Sequence, residues 1–283
     1  MEIDKFNLYI VRHGETEANV DRSLYITKAD HAIRLTPKGI QQAKDAGRFL
    51  AHFLQEQQKA TPNFGNIRLW HSPYYRGRET AFHMLGPLGR AFSSTKGQLS
   101  YHEDPFLFEQ KIGLSDGLTD EEYRLTQPEA AADFQKHVLF NGRTYAGSLL
   151  GESRIDLMMR LKHCFSSIAK DRRQQDIRHV IFVNHGVTSR AMMMSWMHYS
   201  PEWLDAEKNP GNCWIRHIHG DNKKGYVDEG YIFGEEAPLH DPQKTQKQLE
   251  KAEDIYMLKP GRPNIIVPPG IPLQDPFAEP RPS

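Results

Sequence analysis

Cysteine is nearly absent from this sequence of 283 residues: only Cys164 and Cys213 occur. Two cysteines cannot build a disulfide framework, and a reducing cytosol is the expected compartment. An excess of charge of either sign is also missing, since 36 Lys and Arg balance 36 Asp and Glu. That argues against the basic footprint of a nucleic-acid binder or of a protein held to an acidic membrane. No apolar run is long enough to span a bilayer. The start, MEIDKFNLYIV, has no apolar stretch behind a basic head, so no signal peptide is expected. Hydrophobic content is low at 38%, partly because the C-terminus is polar and proline-rich. There is no HExxH, no Asp-x-Asp pair and no Cys/His cluster with ligand spacing, so neither a metal nor a cofactor is expected. Internal repeats are absent as well.

What is present is an alternation of strands and helices. FNLYIV (6–11) is a short, nearly continuous apolar run, as suits a strand buried on both faces. LTPKGIQQAKDAGRFLAHFLQEQ follows with Thr36 as cap, Pro37 in the first turn and an apolar stripe at helical spacing. IRLWHS (67–72) reads as a second strand. Ser72-Pro73 repeats the cap-then-proline signature and opens a helix through Tyr75, Thr80 and Met84. Residues 86–100, rich in Gly and Ser, read as a loop. Residues 119–139 look helical with a break at Pro128. A helix over 151–171 carries the capping-box pair Ser153 and Asp156. RHVIFVNHG (178–186) is a strand, with a helix after it in which Met192, Met193, Met194 and Met197 are core filler. CWIRHI (213–218) and YVDEGYIFG (226–234) read as later strands of the same sheet. The pattern predicts an α/β domain over 1–235: a three-layer sandwich with a mostly parallel central sheet flanked by helices. Residues 236–283 form a C-terminal extension. It holds one solvated helix (241–256) and a tail with eight prolines from Lys259 onward, expected to lie along its own domain or along a second copy in a homo-oligomer.

Two histidines mark two strand ends. His13 follows the first strand and precedes Gly14; His185 follows VIFVN and precedes Gly186. In open α/β sheets ligands bind beyond the carboxyl ends of the strands. If the two strands are parallel neighbours, both imidazoles reach one crevice, beside helix N-termini that favour an anion. Arg12 stands next to His13, and Arg76 falls in the first turn of the helix after Ser72. Two guanidiniums and two imidazoles suit a tetrahedral dianion better than a carboxylate, which one arginine fork would satisfy. Singly, a histidine at a strand end or an arginine in a first turn is more often structural. The ordered set RHGE, SPxxR and a second strand-HG makes coincidence a poor explanation.

LYIVRHGETEAN, HSPYYRGRET, FEQKIGLSDG, GES and VNHGVTSR, in that order, resemble the histidine phosphatase superfamily, in the branch that includes cofactor-dependent phosphoglycerate mutase. TKADHAIRLT and NPGNCWIR are similar to a phosphoglycerate mutase-like subgroup of plants, fungi and bacteria. The resemblance spans roughly residues 5–220. It implies His13 as the nucleophile that becomes phosphohistidine. It also implies that Arg12, Arg76 and His185 hold the phosphoryl oxygens, with Asn19 and Gly186 at the phosphate. Glu109, in the pattern E-x-x-x-G-x-x-x-G, is implied as proton donor. Glu103 and Asp104 are rivals in the same loop when the residues are read alone. The nucleophilic nitrogen needs its ring partner fixed by an acceptor, for which a carbonyl in the Gly14 turn and Glu15 are the candidates. Glu152 reads as first-turn helix charge, with support of the site as the alternative. One of Tyr74 and Tyr75 is expected at the mouth.

The reading that follows is a metal-independent phosphomonoesterase acting on a small phosphorylated metabolite. The long stretch that mutases use for a second acidic group is not visible, which sets a mutase second. A catalytically weak phosphate-binding or scaffold protein is the third alternative.

Overall fold

The computed structural model describes residues 6–92, 98–221 and 223–234. Six strands form one sheet: β1 (Asn7–Arg12), β2 (Asn66–His71), β3 (Leu99–Glu103), β4 (Ile177–Asn184), β5 (Ile215–Asp221) and β6 (Gly225–Phe233). Their order is β3-β2-β4-β1-β5-β6. Only β5 runs against the others, antiparallel to both β1 and β6. After β1 the chain moves outward to β2 and β3, then returns to insert β4 between β2 and β1. The parallel pair β1–β4 places Arg12 opposite Asn184, so residues 13 and 185 leave the sheet side by side at the same edge.

The alternation of side chains along each strand builds two cores. Tyr9 and Val11 of β1 join Ile67, Leu69, Ile181 and Val183 under α3 (Pro37–Ala60) and α4 (Tyr75–Phe92). Leu8 and Ile10 face the other way, with Val180 and Phe182, against α7 (Arg154–Gln175) and α8 (Gly186–Met197). Both faces of the central strands are thus dry, which is why their sequences read as continuous apolar runs rather than alternating ones. The fold is the expected three-layer α/β sandwich, and Met192, Met193, Met194 and Met197 are buried in the second core.

Several elements differ from the sequence expectation. The segment 86–100 is not a loop throughout: α4 continues to Phe92, carrying Pro87 inside it, and β3 begins at Leu99. Ala81, Met84, Leu88 and Phe92 extend one buried stripe through the glycines, and burying it outweighs their poor helix propensity. β3 is an edge strand with a half-exposed pattern, which hides it from a reading by apolar runs. Ser72 does not cap α4, which starts at Tyr75. Three short helices were not anticipated: α1 (Glu17–Val20), α2 (Leu24–Thr27) and α9 (Pro201–Ala206). The broken helix is found as α5 (Asp120–Thr126) and α6 (Pro128–Asn141), parted at Gln127. The helix expected over 241–256 and the proline-rich tail lie outside the described residues. Among the described residues no helix is long and apolar enough to cross a membrane.

Candidate active site

The His13 and His185 rings lie 5.2 Å apart, centroid to centroid. Both are buried, at 3% and 0% exposure. His13 Nδ1 lies 2.8 Å from the carbonyl oxygen of Gly14. A carbonyl only accepts, so Nδ1 carries the proton and the lone pair stays on Nε2. Of the two acceptors considered for this task, the Gly14 carbonyl has it; Glu15 instead accepts from Thr36 and pairs with Lys38. Burial lowers the His13 pKa well below the usual range, and the nearby charges of Arg76 and Arg12 lower it further. The imidazole is therefore neutral, the state a nucleophile needs.

His185 is fixed by the same logic. Arg76 Nε donates to its Nδ1 over 3.1 Å. A guanidinium cannot accept, so Nε2 carries the proton and donates to Ser72 Oγ at 2.7 Å. The hydroxyl expected to cap α4 thus orients the second histidine. Burial, followed by the charge of Arg76, lowers the His185 pKa well below the usual range, so this ring is neutral as well. Tyr74 presents its ring edge to His185 at 5.3 Å and lies under the Arg76 guanidinium at 4.9 Å. It is the tyrosine at the site, while Tyr75 is 41% exposed.

Arg12 is held from behind by the carbonyl of Pro210, 2.6 Å from Nη1, and its buried Nε has no partner among the described residues. Arg76 is buried, and its fork is closed on Asp30. Asn19 lies near but is already engaged. Its Oδ1 accepts from the N–H of Thr16 in a capping box and from Asn212. Asn212 also donates to the carbonyl of His13 at 3.1 Å.

Glu109 lies against the N-terminus of α8. Its carboxylate accepts from the N–H groups of Val187 (3.1 Å) and Thr188 (3.0 Å) and from the Thr188 hydroxyl (2.9 Å). An anion at exposed helical N–H groups is well placed electrostatically. Gly186, which precedes these donors, packs so closely that a Cβ there would meet Asn209 Oδ1 at 2.8 Å. The rivals of Glu109 have other work. Glu103 makes a two-pronged pair with Arg78, and Asp104 is buried and caps the turn at Phe106. Glu152 is not first-turn charge, because Ser153 caps α7. It pairs with Arg160 at 3.0 Å, and Arg160 in turn holds the carbonyls of Phe106 and Glu109 and stacks 3.7 Å over the Phe108 ring. The pair therefore supports the loop that carries Glu109.

Sequence reasoning missed Asp30, Ser72 as a partner of His185, Arg160, Asn212 and two groups at the mouth. Tyr25 is close enough to feel the charges of Arg76, Asp30, Arg12 and Glu109. The pKa of Asp116 is raised by burial and by the nearby charge of Asp30. Asp116 lies inside the FEQKIGLSDG segment, and the only signal for Tyr25 was that its loop follows the first motif. Gly117 has φ +75, and a Cβ there would strike Tyr25 and Ile26 at 3.0 and 2.9 Å. The second glycine of the E-x-x-x-G-x-x-x-G pattern therefore lets one wall of the mouth close on the other.

A model of the histidine phosphatase superfamily (branch 1) matches residues 8–230. The chain belongs to the histidine phosphatase superfamily. Within this superfamily it is 32% identical over 216 residues to phosphoglycerate mutase-like protein AT74 of Arabidopsis thaliana, covering 74% of this chain and 63% of that protein. It is 29% identical over 217 residues to phosphoglycerate mutase-like protein AT74H of the same plant, covering 74% of this chain and 72% of that protein. The chain thus spans less than two thirds of the length of the first of these relatives. Among solved structures it resembles a mycobacterial glucosyl-3-phosphoglycerate phosphatase, with TM-score 0.56, 21% identity, and 81% and 98% of the two chains covered. A structure described as a putative alpha-ribazole-5'-P phosphatase from Escherichia coli gives TM-score 0.56 at 21% identity, covering 79% and 94%. At that identity the two likenesses show the fold shared with the superfamily.

Proposed function

We propose that this protein hydrolyses a small phosphomonoester through a phosphohistidine formed on His13. The observation that carries the reading is the state of His13: neutral, its proton fixed on Nδ1 by the Gly14 carbonyl, with two arginines and His185 around it. In this reading Nε2 forms a bond to phosphorus as the ester P–O bond breaks. Arg12 and Arg76 neutralise the charge on the equatorial oxygens. In its protonated form Glu109 gives a proton to the leaving alkoxide, and the carboxylate so formed takes one from the water that later cleaves the P–N bond. To do so it must release one of its bonds to α8. The charge that the phosphoryl group needs is supplied by side chains, so turnover is expected without added metal.

The test is hydrolysis of p-nitrophenyl phosphate in the presence of EDTA. Wild-type activity is expected to persist, and His13→Ala to abolish it together with the acid-labile phosphate trapped on the protein. Turnover by His13→Ala at the wild-type rate would sink the proposal. Glu109→Gln is expected to lose on the order of 10²–10⁴ in rate, most on esters with poor leaving groups. A requirement for a bisphosphorylated primer would favour a mutase instead.

A further inference from the structure

Arg76 has each of its three nitrogens engaged in this structure. Its Nε donates to His185. Its Nη1 donates to the backbone carbonyl of Asp30 at 2.6 Å and lies 2.8 Å from the Asp30 carboxylate. Its Nη2 donates to Asp30 Oδ2 at 3.2 Å. The fork that would grip a phosphoryl group therefore holds a carboxylate of its own chain. We propose that Asp30 is an intramolecular competitor of the phosphoryl group: it closes Arg76 and is displaced when the anion binds. The inference rests on the phosphate site of the preceding section.

The surroundings show which part can move. The Arg76 side chain is 3% exposed, whereas that of Asp30 is 26% exposed. The backbone around Asp30 is held on both sides. Lys28 pairs with Glu17, and the N–H of Arg34 donates to the same carboxylate. Leu35 bridges to Thr16 and donates its N–H to Glu79 at 2.8 Å. Ile33 is fully buried, and its N–H closes the turn on the Asp30 carbonyl. Displacement is thus a rotation of one carboxylate toward solvent on a fixed turn, with the Asp30 carbonyl left in place on Nη1. A carboxylate that stayed on the fork would meet a phosphoryl dianion with like charge and no proton between them. A site closed in nine molecules of ten binds its ligand about tenfold more weakly than an open one.

The alternative role, an orienting partner that Arg76 needs while the anion is bound, predicts the opposite sign. The experiment is calorimetric titration of inorganic phosphate at neutral pH into wild type, Asp30→Asn and Asp30→Ala, each also in an Arg76→Gln background. Asp30→Asn keeps the size and the backbone carbonyl, and its melting curve checks that the fold is intact. The expected result is phosphate binding about tenfold tighter or more in both Asp30 variants, with the gain lost in the Arg76→Gln background. Equal or weaker binding in folded Asp30→Asn overturns the proposal and makes Asp30 an orienting partner. If wild type and both single variants all fail to bind phosphate, the phosphate site falls, and the competitor with it. That result is distinct from binding without a gain.

Discussion

At the scale of the residue, the site is a set of tautomers fixed by partners that cannot change role. The Gly14 carbonyl can only accept, and the Arg76 guanidinium can only donate. Together they leave His13 with its lone pair on Nε2 and His185 with its proton on Nε2. Arg160 acts one step further out. It joins Glu152 to the carbonyls of Phe106 and Glu109 and carries the Phe108 ring. Arg160→Met keeps the apolar stem and removes the fork. We expect it to lower kcat on the order of 10²-fold by misplacing Glu109, with a smaller change in KM. It should also cost about 3 kcal/mol of stability, because Glu152 is left without its partner in a largely buried position. Steady-state kinetics and urea unfolding of the same preparation separate the two effects. An unchanged kcat alongside the stability loss would make the Arg160–Glu152 pair structural only. RHG and the second HG were legible in the sequence because neighbours along the chain carry them. Asp30 on Arg76, Ser72 on His185 and Arg160 on the Glu109 loop were not, since their partners are distant in the chain and meet only through the sheet order.

At the scale of the element, α3 is placed by a contact without side chains. Gly14, just after His13, faces Gly39 in the first turns of α3. A Cβ on Gly39 would lie 2.0 Å from the carbonyl oxygen of Glu15, and one on Gly14 would lie 2.5 Å from the carbonyl oxygen of Gly39. Backbone faces backbone, so neither clash is relieved by a rotamer change. Gly39→Ala is therefore expected to destabilise by about 1–3 kcal/mol, despite alanine's better helix propensity. It should also slow turnover, because the turn that must move carries the Gly14 carbonyl. Differential scanning calorimetry with an activity assay checks both; a raised melting temperature would contradict this packing. The Thr36–Pro37 signature and the apolar stripe announced α3, and Ser153 with Asp156 announced α7. The same grammar failed at Pro87, where burial of Met84, Leu88 and Phe92 carries α4 past a residue that usually ends a helix.

At the scale of the whole molecule, His13, His179, His185 and His217 share one property: burial lowers the pKa of each. Burial lowers His179 to about 3 and His217 to about 4, and His13 and His185 lie well below the ordinary value. In the unfolded chain each titrates near pH 6.5. Well above that pH neither state binds the protons, and stability is unaffected. Below it the unfolded state takes up protons that the native state refuses, so stability falls as pH drops, by about 1.4 kcal/mol per pH unit for each histidine. The depressed carboxylates of Glu103 and Asp228 add their losses only at lower pH, near the unfolded carboxylate range. Urea unfolding should show a loss of about 1.4 kcal/mol between pH 7.5 and 6.5. A further loss on the order of 4 kcal/mol is expected between 6.5 and 5.5, with the slope reduced by about one proton in His179→Gln. A flat profile would mean that these imidazoles are protonated in the native state.

The sequence by itself determined the layering and the two histidine-glycine motifs at strand ends. Strands dry on both faces must be apolar throughout, helices with one dry face must show a stripe, and a histidine followed by glycine at a strand end is local in the chain. Tertiary structure alone decided the strand order that brings residues 13 and 185 together, the reversal of β5, and the identity of every acceptor and donor on the two imidazoles. It also decided the closure of Arg76 by Asp30. The physical reason is the same in each case: apolar periodicity is written along the chain, whereas a hydrogen bond or ion pair between distant residues exists only once the packed layers have fixed which side chains face each other.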